Sequence, residues 1–237
     1  MKRRLLIFGL FGALFSLQNF AQEKPPVRFG KINPGDFYQT KYSIDSAANA
    51  VIIADVGSTE MVDNGKGGFA LQFKNYRRAR ILTKNGYDIA NVTIPLYTDG
   101  RDEEKLNSLR AVTYNWENGK IVETRLETRS AVFKDKIDKN WTLRKFTFPN
   151  IKEGSIIEYE YEVRSDFKFN LQPWKFQDDQ YPELWSEYNV ALPEFYYYVT
   201  LSQGYQPFYI RDQKNRTSSF TISDNSTAGV ADRHSFT

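Results

Sequence analysis

No cysteine occurs anywhere in the 237 residues, and histidine occurs once, at His234. The first absence removes disulfides and thiolate nucleophiles, and with them the cysteine that a lipoprotein carries at its cleavage point. The two absences together exclude the common zinc sites, which need several nitrogen or sulfur ligands. They also exclude the Ser-His and Cys-His pairs of nucleophilic catalysis, because the single imidazole lies close to the C-terminal end of the sequence. No glycine-rich phosphate loop follows a strand and opens a helix, and no residue set implies a cofactor. Long apolar runs are absent apart from Leu5 to Leu17, which is too short to span a bilayer at about 20 residues per crossing. An excess of one charge sign is missing as well. The chain has 32 basic and 29 acidic residues, and Lys2, Arg3 and Arg4 lie in a segment expected to be removed. A mature chain of balanced charge has no global field to draw in nucleic acid.

That apolar run has a use. Lys2-Arg3-Arg4 is a positive n-region, Leu5 to Leu17 an h-region, and Ala21 a small residue before Gln22. Residues 1–21 are therefore expected to be a secretory signal peptide, leaving no permanent membrane span after its removal. Residues 22–36, with Pro25-Pro26 and Asn33-Pro34-Gly35, are expected to be a lead-in with little regular structure. Residues 37–237 then form one domain, large enough to bury roughly 70% of the surface of its unfolded chain and to hold together by packing alone.

Aromatic residues reach 16% of the chain, with 15 Tyr, 18 Phe and 4 Trp, a composition that favours strands. The clearest strand follows the turn Pro149 to Ser155. There Ile157, Tyr159, Tyr161 and Val163 alternate with Glu158, Glu160, Glu162 and Arg164. Period two predicts a half-buried antiparallel strand with Tyr161 in the core and the glutamates in solvent. Similar patterns predict strands at Ala50–Gly57, Phe69–Lys84, Tyr87–Tyr97, Leu106–Asn115, Lys120–Leu126, Leu184–Leu192, Phe195–Leu201, Pro207–Arg211 and Ser218–Ile222, with Trp141–Phe148 leading into the turn before the clearest strand. Hairpins are expected over Asp63–Gly68, Asn85-Gly86, Glu117–Gly119 and Gln213–Asn215. Glu127 to Asn140 is polar and irregular, with room for a short helix. The result is an all-β fold, an antiparallel β-sandwich of roughly ten or more strands. On a strand the basic run Arg77-Arg78-Ala79-Arg80 splits between two faces and is expected to be ordinary strand surface.

Several stretches together resemble a known family. They are Asn33-Pro34-Gly35-Asp36, Tyr76 to Gly86 with Val92-Thr93-Ile94-Pro95, and Leu109 to Asn115 with Gly119 to Glu123. The most specific is Phe148-Pro149-Asn150-Ile151-Lys152-Glu153-Gly154-Ser155, followed by Trp174-Lys175-Phe176-Gln177 and Pro182. The chain resembles, over nearly all of residues 33–205, the domain of unknown function that precedes transglutaminase-like domains in exported bacterial proteins. The resemblance implies a β-sandwich in the periplasm or outer envelope of a Gram-negative bacterium, with a papain-like catalytic domain further along. The catalytic Cys, His and Asp of such domains have no counterparts here, so the expected function is a non-catalytic module whose partner is a transglutaminase-like domain or another protein.

An alternative is a carbohydrate-binding module, in which Trp174, Phe176 and Trp185 would stack on a glycan. The carboxylates of Glu158, Glu160 and Glu162, spaced about 7 Å apart by the strand rise, are within range of the pair that glycoside chemistry needs. A solvated strand face carries the same pattern. Asp63 to Gly68 does not match the ligand spacing of a calcium loop. The sequence thus predicts no catalytic, cofactor or metal residue.

Overall fold

The computed structural model describes residues 25, 27–169, 171–193, 195, 196, 198, 199, 201–214, 220–224 and 232–236. The signal segment expected over residues 1–21 lies outside them. Eleven strands occur among the described residues: β1 (Ala50–Asp63), β2 (Phe69–Ile81), β3 (Asn91–Tyr97), β4 (Lys105–Glu117), β5 (Lys120–Arg125), β6 (Phe133–Lys136), β7 (Trp141–Thr147), β8 (Ile156–Ser165), β9 (Ser186–Ala191), β10 (Phe220–Asp224) and β11 (Asp232–Phe236). A six-stranded sheet has the order β5-β4-β8-β2-β1-β9, a three-stranded sheet the order β3-β7-β6, and β10 pairs with β11.

The first two sheets make the sandwich. Phe73, Ala79, Ala111, Ile157 and Val163 of the large sheet pack against Val92, Ile94, Leu96 and Phe146 of the small one. Alternation explains the choice, since each set occupies every second position of its strand. Tyr159 and Tyr161 join this core with their rings stacked 6.1 Å apart.

The turn before β8 is tied into the sheet. Asn150 and Gly154 adopt positive φ of 53° and 84°. Thr113 Oγ1 donates to the Pro149 carbonyl (2.7 Å), and the Asn115 amide donates to the Asn150 carbonyl (2.9 Å). Ser155 Oγ donates to Asn115 Oδ1 (2.5 Å). Side chains of β4 thus hold the Pro-Asn-x-Lys-x-Gly-Ser block, which gives its residue types a structural reason.

Two expected hairpins form as anticipated. β1 and β2 pair antiparallel from Ala50↔Ile81 to Asp63↔Phe69. β4 and β5 close over Asn118 and Gly119, both at positive φ as a two-residue turn requires. Other expectations fail. Asn85-Gly86 is not a hairpin, because Lys84–Ala90 is a 3-10 helix and β3 pairs with β7 in the other sheet. Gly86 is needed for close approach instead, since a Cβ there would collide with the Asn49 carbonyl. β9 runs parallel to β1, from Asp55↔Ser186 to Glu60↔Ala191, so the sheet is not purely antiparallel. Residues 207–211 form no strand, and β10 pairs with β11 rather than with them. No strand occurs among the described residues of 195–201 either.

The outer face of the six-stranded sheet changes character along its length. Glu160 and Glu162 are half-buried, and Arg110 Nε donates to Glu160 Oε1 (2.5 Å). At the other end the lead-in crosses over the sheet. It contributes Phe29, Ile32 and Phe37 to a second core with Val112, Tyr114 and Ile156, and turns through a 3-10 helix at Pro34–Phe37.

Candidate functional site

Beneath the lead-in lies Glu158, which is fully buried rather than solvated as its alternation suggested. The alternation itself holds; what the pattern does not show is that this half of the face is covered. Four partners satisfy the carboxylate. Arg78 Nη2 donates to it (2.8 Å), as do Tyr76 Oη (3.1 Å), Tyr114 Oη (2.7 Å) and the Gly30 backbone N–H (2.6 Å). Arg78 also donates to the Arg28 carbonyl (2.7 Å), so the ion pair grips the lead-in from both sides. Burial and the neighbouring carboxylate push the Tyr76 and Tyr114 hydroxyls far above their ordinary pKa, which keeps both as donors.

The basic run is correspondingly not surface. Arg78 and Arg80 are each only 3% exposed. Arg80 Nη2 donates to the Phe37 carbonyl (2.7 Å), and its guanidinium stacks over the Phe37 ring. Arg77 points to the opposite face, where Nε donates to Asp55 Oδ2 (2.7 Å) and Nη1 to Asp178 Oδ2 (3.2 Å). The Asn75 amide completes Asp55 (2.6 Å). Close by, both carboxyl oxygens of Glu183 are buried with no hydrogen-bond partner. Burial first, and the Asp55 charge second, push the Glu183 pKa up to about 8. The sequence shows only that Arg78 and Glu158 sit on alternating strands; that they lie directly opposite each other follows from the register.

The aromatic residues singled out as a stacking platform lie in different settings. Trp174 is half-buried and packs on the core. Its ring is parallel to Tyr188 at 5.2 Å, and a Cβ on Gly57 would overlap it. Trp174 Nε1 donates to Ser186 Oγ (3.3 Å). Phe176 is exposed and meets Phe208 edge-on at 4.9 Å. Trp185 is half-buried, with its indole N–H on Glu187 (2.9 Å).

The open concavities lie elsewhere, at the end of the sandwich where the β1–β2 and β3–β4 loops meet. One cleft of about 830 Å³ is lined by Arg101, Glu103, Lys105, Ser108, Lys134 and Arg144 among others. A second, of about 450 Å³, shares Glu103, Lys105 and Asn107 with it and adds Lys66, Arg164 and Asp166. The register of β4 against β8 shifts between Leu106 and Ser108. Such a bulge re-aims the side chains around it, here where the two clefts adjoin. Glu103 bridges Lys134 Nζ (2.6 Å), Thr142 Oγ1 (2.7 Å) and Arg144 Nη2 (3.0 Å). The Lys134 hydrogen bond leads these in holding the Glu103 carboxyl down at about 2. Among the described residues no group of three or more His, Cys, Asp or Glu could hold a metal ion, and no helix is long and apolar enough to cross a membrane.

These features define a β-sandwich module with a strapped, ion-paired outer face and a polar cleft at one end. The chain belongs to the family described as "Domain of Unknown Function with solved-structure structure (DUF3857)", whose model matches residues 70–228. No curated protein matches it. Among solved structures it is similar to one described as "a putative protease from Parabacteroides distasonis", with 12% identity and a TM-score of 0.43. That similarity covers 62% of this chain and 29% of the other. At that depth of likeness nothing about activity transfers.

Proposed function

We propose that the chain is a non-catalytic module of a Gram-negative bacterial envelope, exported by its N-terminal segment, that packs against a transglutaminase-like domain. The observation that supports this reading is the stretch from 195 to 210. Val199, Leu201, Tyr205 and Tyr209 are 87%, 84%, 105% and 84% exposed. Phe195, Phe208 and Ile210 add further exposed apolar area to the same stretch. Apolar surface concentrated in this way marks a site of association, and burying it contributes about 25 cal/mol per Å².

A carbohydrate-binding role calls for an open aromatic platform. Trp174 already spends one face on Tyr188 and lies over Gly57, so the packing reading is the better supported.

Hydrogen exchange tests the proposal. Amides between 195 and 210 should exchange at least tenfold more slowly when the chain is joined to, or mixed with, a transglutaminase-like domain from the same genome. Leu201→Asp combined with Tyr205→Asp should abolish that protection. Unchanged exchange, or protection insensitive to the double substitution, would sink the reading. Protection by a different protein partner would replace the transglutaminase-like domain in it.

A further inference from the structure

Two pairs of like charges sit directly across neighbouring strands at the cleft end of the sandwich. In the small sheet Lys134 of β6 lies opposite Arg144 of β7. In the large sheet Lys105 of β4 lies opposite Arg164 of β8. Like charges so placed repel. The protein resolves the first pair with Glu103, whose two oxygens reach Lys134 Nζ (2.6 Å) and Arg144 Nη2 (3.0 Å). The second pair has no such bridge. Arg164 Nη2 donates to the backbone carbonyl of Asp63 (2.6 Å) rather than to a carboxylate. Lys105 is exposed and, among the described residues, has no polar partner.

The three carboxylates that line the smaller cleft with Lys105 and Arg164 each have another partner. Glu103 is committed to the first pair, Asp63 accepts the Gly65 N–H (2.7 Å), and Asp166 lies 3.8 Å from Lys66. Arg144, which lines the larger cleft, also has a buried Nη1 with no hydrogen-bond partner.

We propose that this end of the sandwich is an anion-binding site, in which a carboxylate- or phosphate-bearing ligand bridges Lys105 and Arg164 as Glu103 bridges Lys134 and Arg144. The cleft shared by Glu103, Lys105 and Asn107 opens into about 830 Å³ on one side and about 450 Å³ on the other. That is ample room for a polar molecule larger than the oxyanion itself. The role is separate from the apolar stretch at 195–210 and does not depend on it.

Titration with inorganic phosphate and with citrate tests it, read by backbone amide shifts at low ionic strength, where exposed charges are least screened. Either anion should saturate, with the largest shifts at Lys105, Asn107 and Arg164. A stronger response to citrate assigns the carboxylate class, and a stronger response to phosphate the phosphoryl class. Lys105→Ala should weaken binding at least tenfold, while Lys105→Arg should retain it. Lys105→Glu supplies an internal anion to Arg164, so it should abolish binding and raise the melting temperature. Lys152→Ala, in the turn before β8 and paired with Glu117 at the far end of β4, serves as the control and should leave anion binding unchanged. Failure of both anions to saturate, or equal affinity in Lys105→Ala, would overturn the proposal.

Discussion

Glu183 is the residue whose ionisation the fold resists most plainly. Its carboxyl oxygens are buried, beside Asp55 and Asp178, and Arg77 and the Ser186 hydroxyl offset only part of the cost. An unfolded glutamate titrates near ~4.3, whereas this one titrates at about 8. Between those values the folded state holds a proton that the unfolded state has lost. Stability from this group is therefore complete below about pH 4.3 and falls as pH rises through about 8. Urea unfolding midpoints at pH 6 and pH 9 should separate the wild type, which loses stability over that interval, from Glu183→Gln, which should lose much less. Equal losses would place the titrating group elsewhere.

The lead-in and β8 show how an element can be legible in one respect and hidden in another. Period two from Ile157 to Val163 correctly divides inward from outward residues, because the pleat alone dictates it. Burial of the outward set depends on what crosses over that face, and the cover comes from residues 27–37, more than a hundred positions away along the chain. The Asn118-Gly119 turn was likewise legible, since both positions need positive φ. Asn85-Gly86 misled because Gly86 answers a different need, contact with the Asn49 carbonyl, that a dipeptide signal does not distinguish. Of the candidate sites, the cleft was not legible, because Lys105 and Arg164 meet only once register is known.

The strap makes a quantitative claim about the same element. Glu158→Leu leaves Arg78 charged and buried, which typically costs about 3–5 kcal/mol. Replacing Arg78 by Met in addition removes that charge. Recovery should nonetheless be partial, because Tyr76 Oη, Tyr114 Oη and the Gly30 N–H still lose their common acceptor. A double-mutant cycle by chemical denaturation measures both steps. A single substitution costing under about 1 kcal/mol, or full recovery in the double variant, would show that the lead-in is not held through this carboxylate.

At the scale of the whole molecule, the sandwich is assembled from contacts of very different range. β1, β2 and the β4–β5 hairpin close locally, whereas β9 returns to β1 after a long excursion. The bond between Thr59 Oγ1 and Tyr188 Oη (2.7 Å) joins residues 129 positions apart. Loop closure of that length is a late and slow event. Until it happens, β1 is an open edge from Asp55 to Glu60, the span that β9 later covers.

An open edge and a tethered strand that fits it are the ingredients of exchange between molecules. During refolding at high concentration, β9 of one copy should be able to fill the β1 edge of another, giving a swapped dimer with the same hydrogen bonds as the monomer. Such dimers should grow with protein concentration during refolding, persist on dilution, and dissociate only through unfolding. Size-exclusion chromatography after refolding at two concentrations would detect them. A Tyr188→Ala variant, lacking the Thr59 bond and the Trp174 stack, should form less of the locked species.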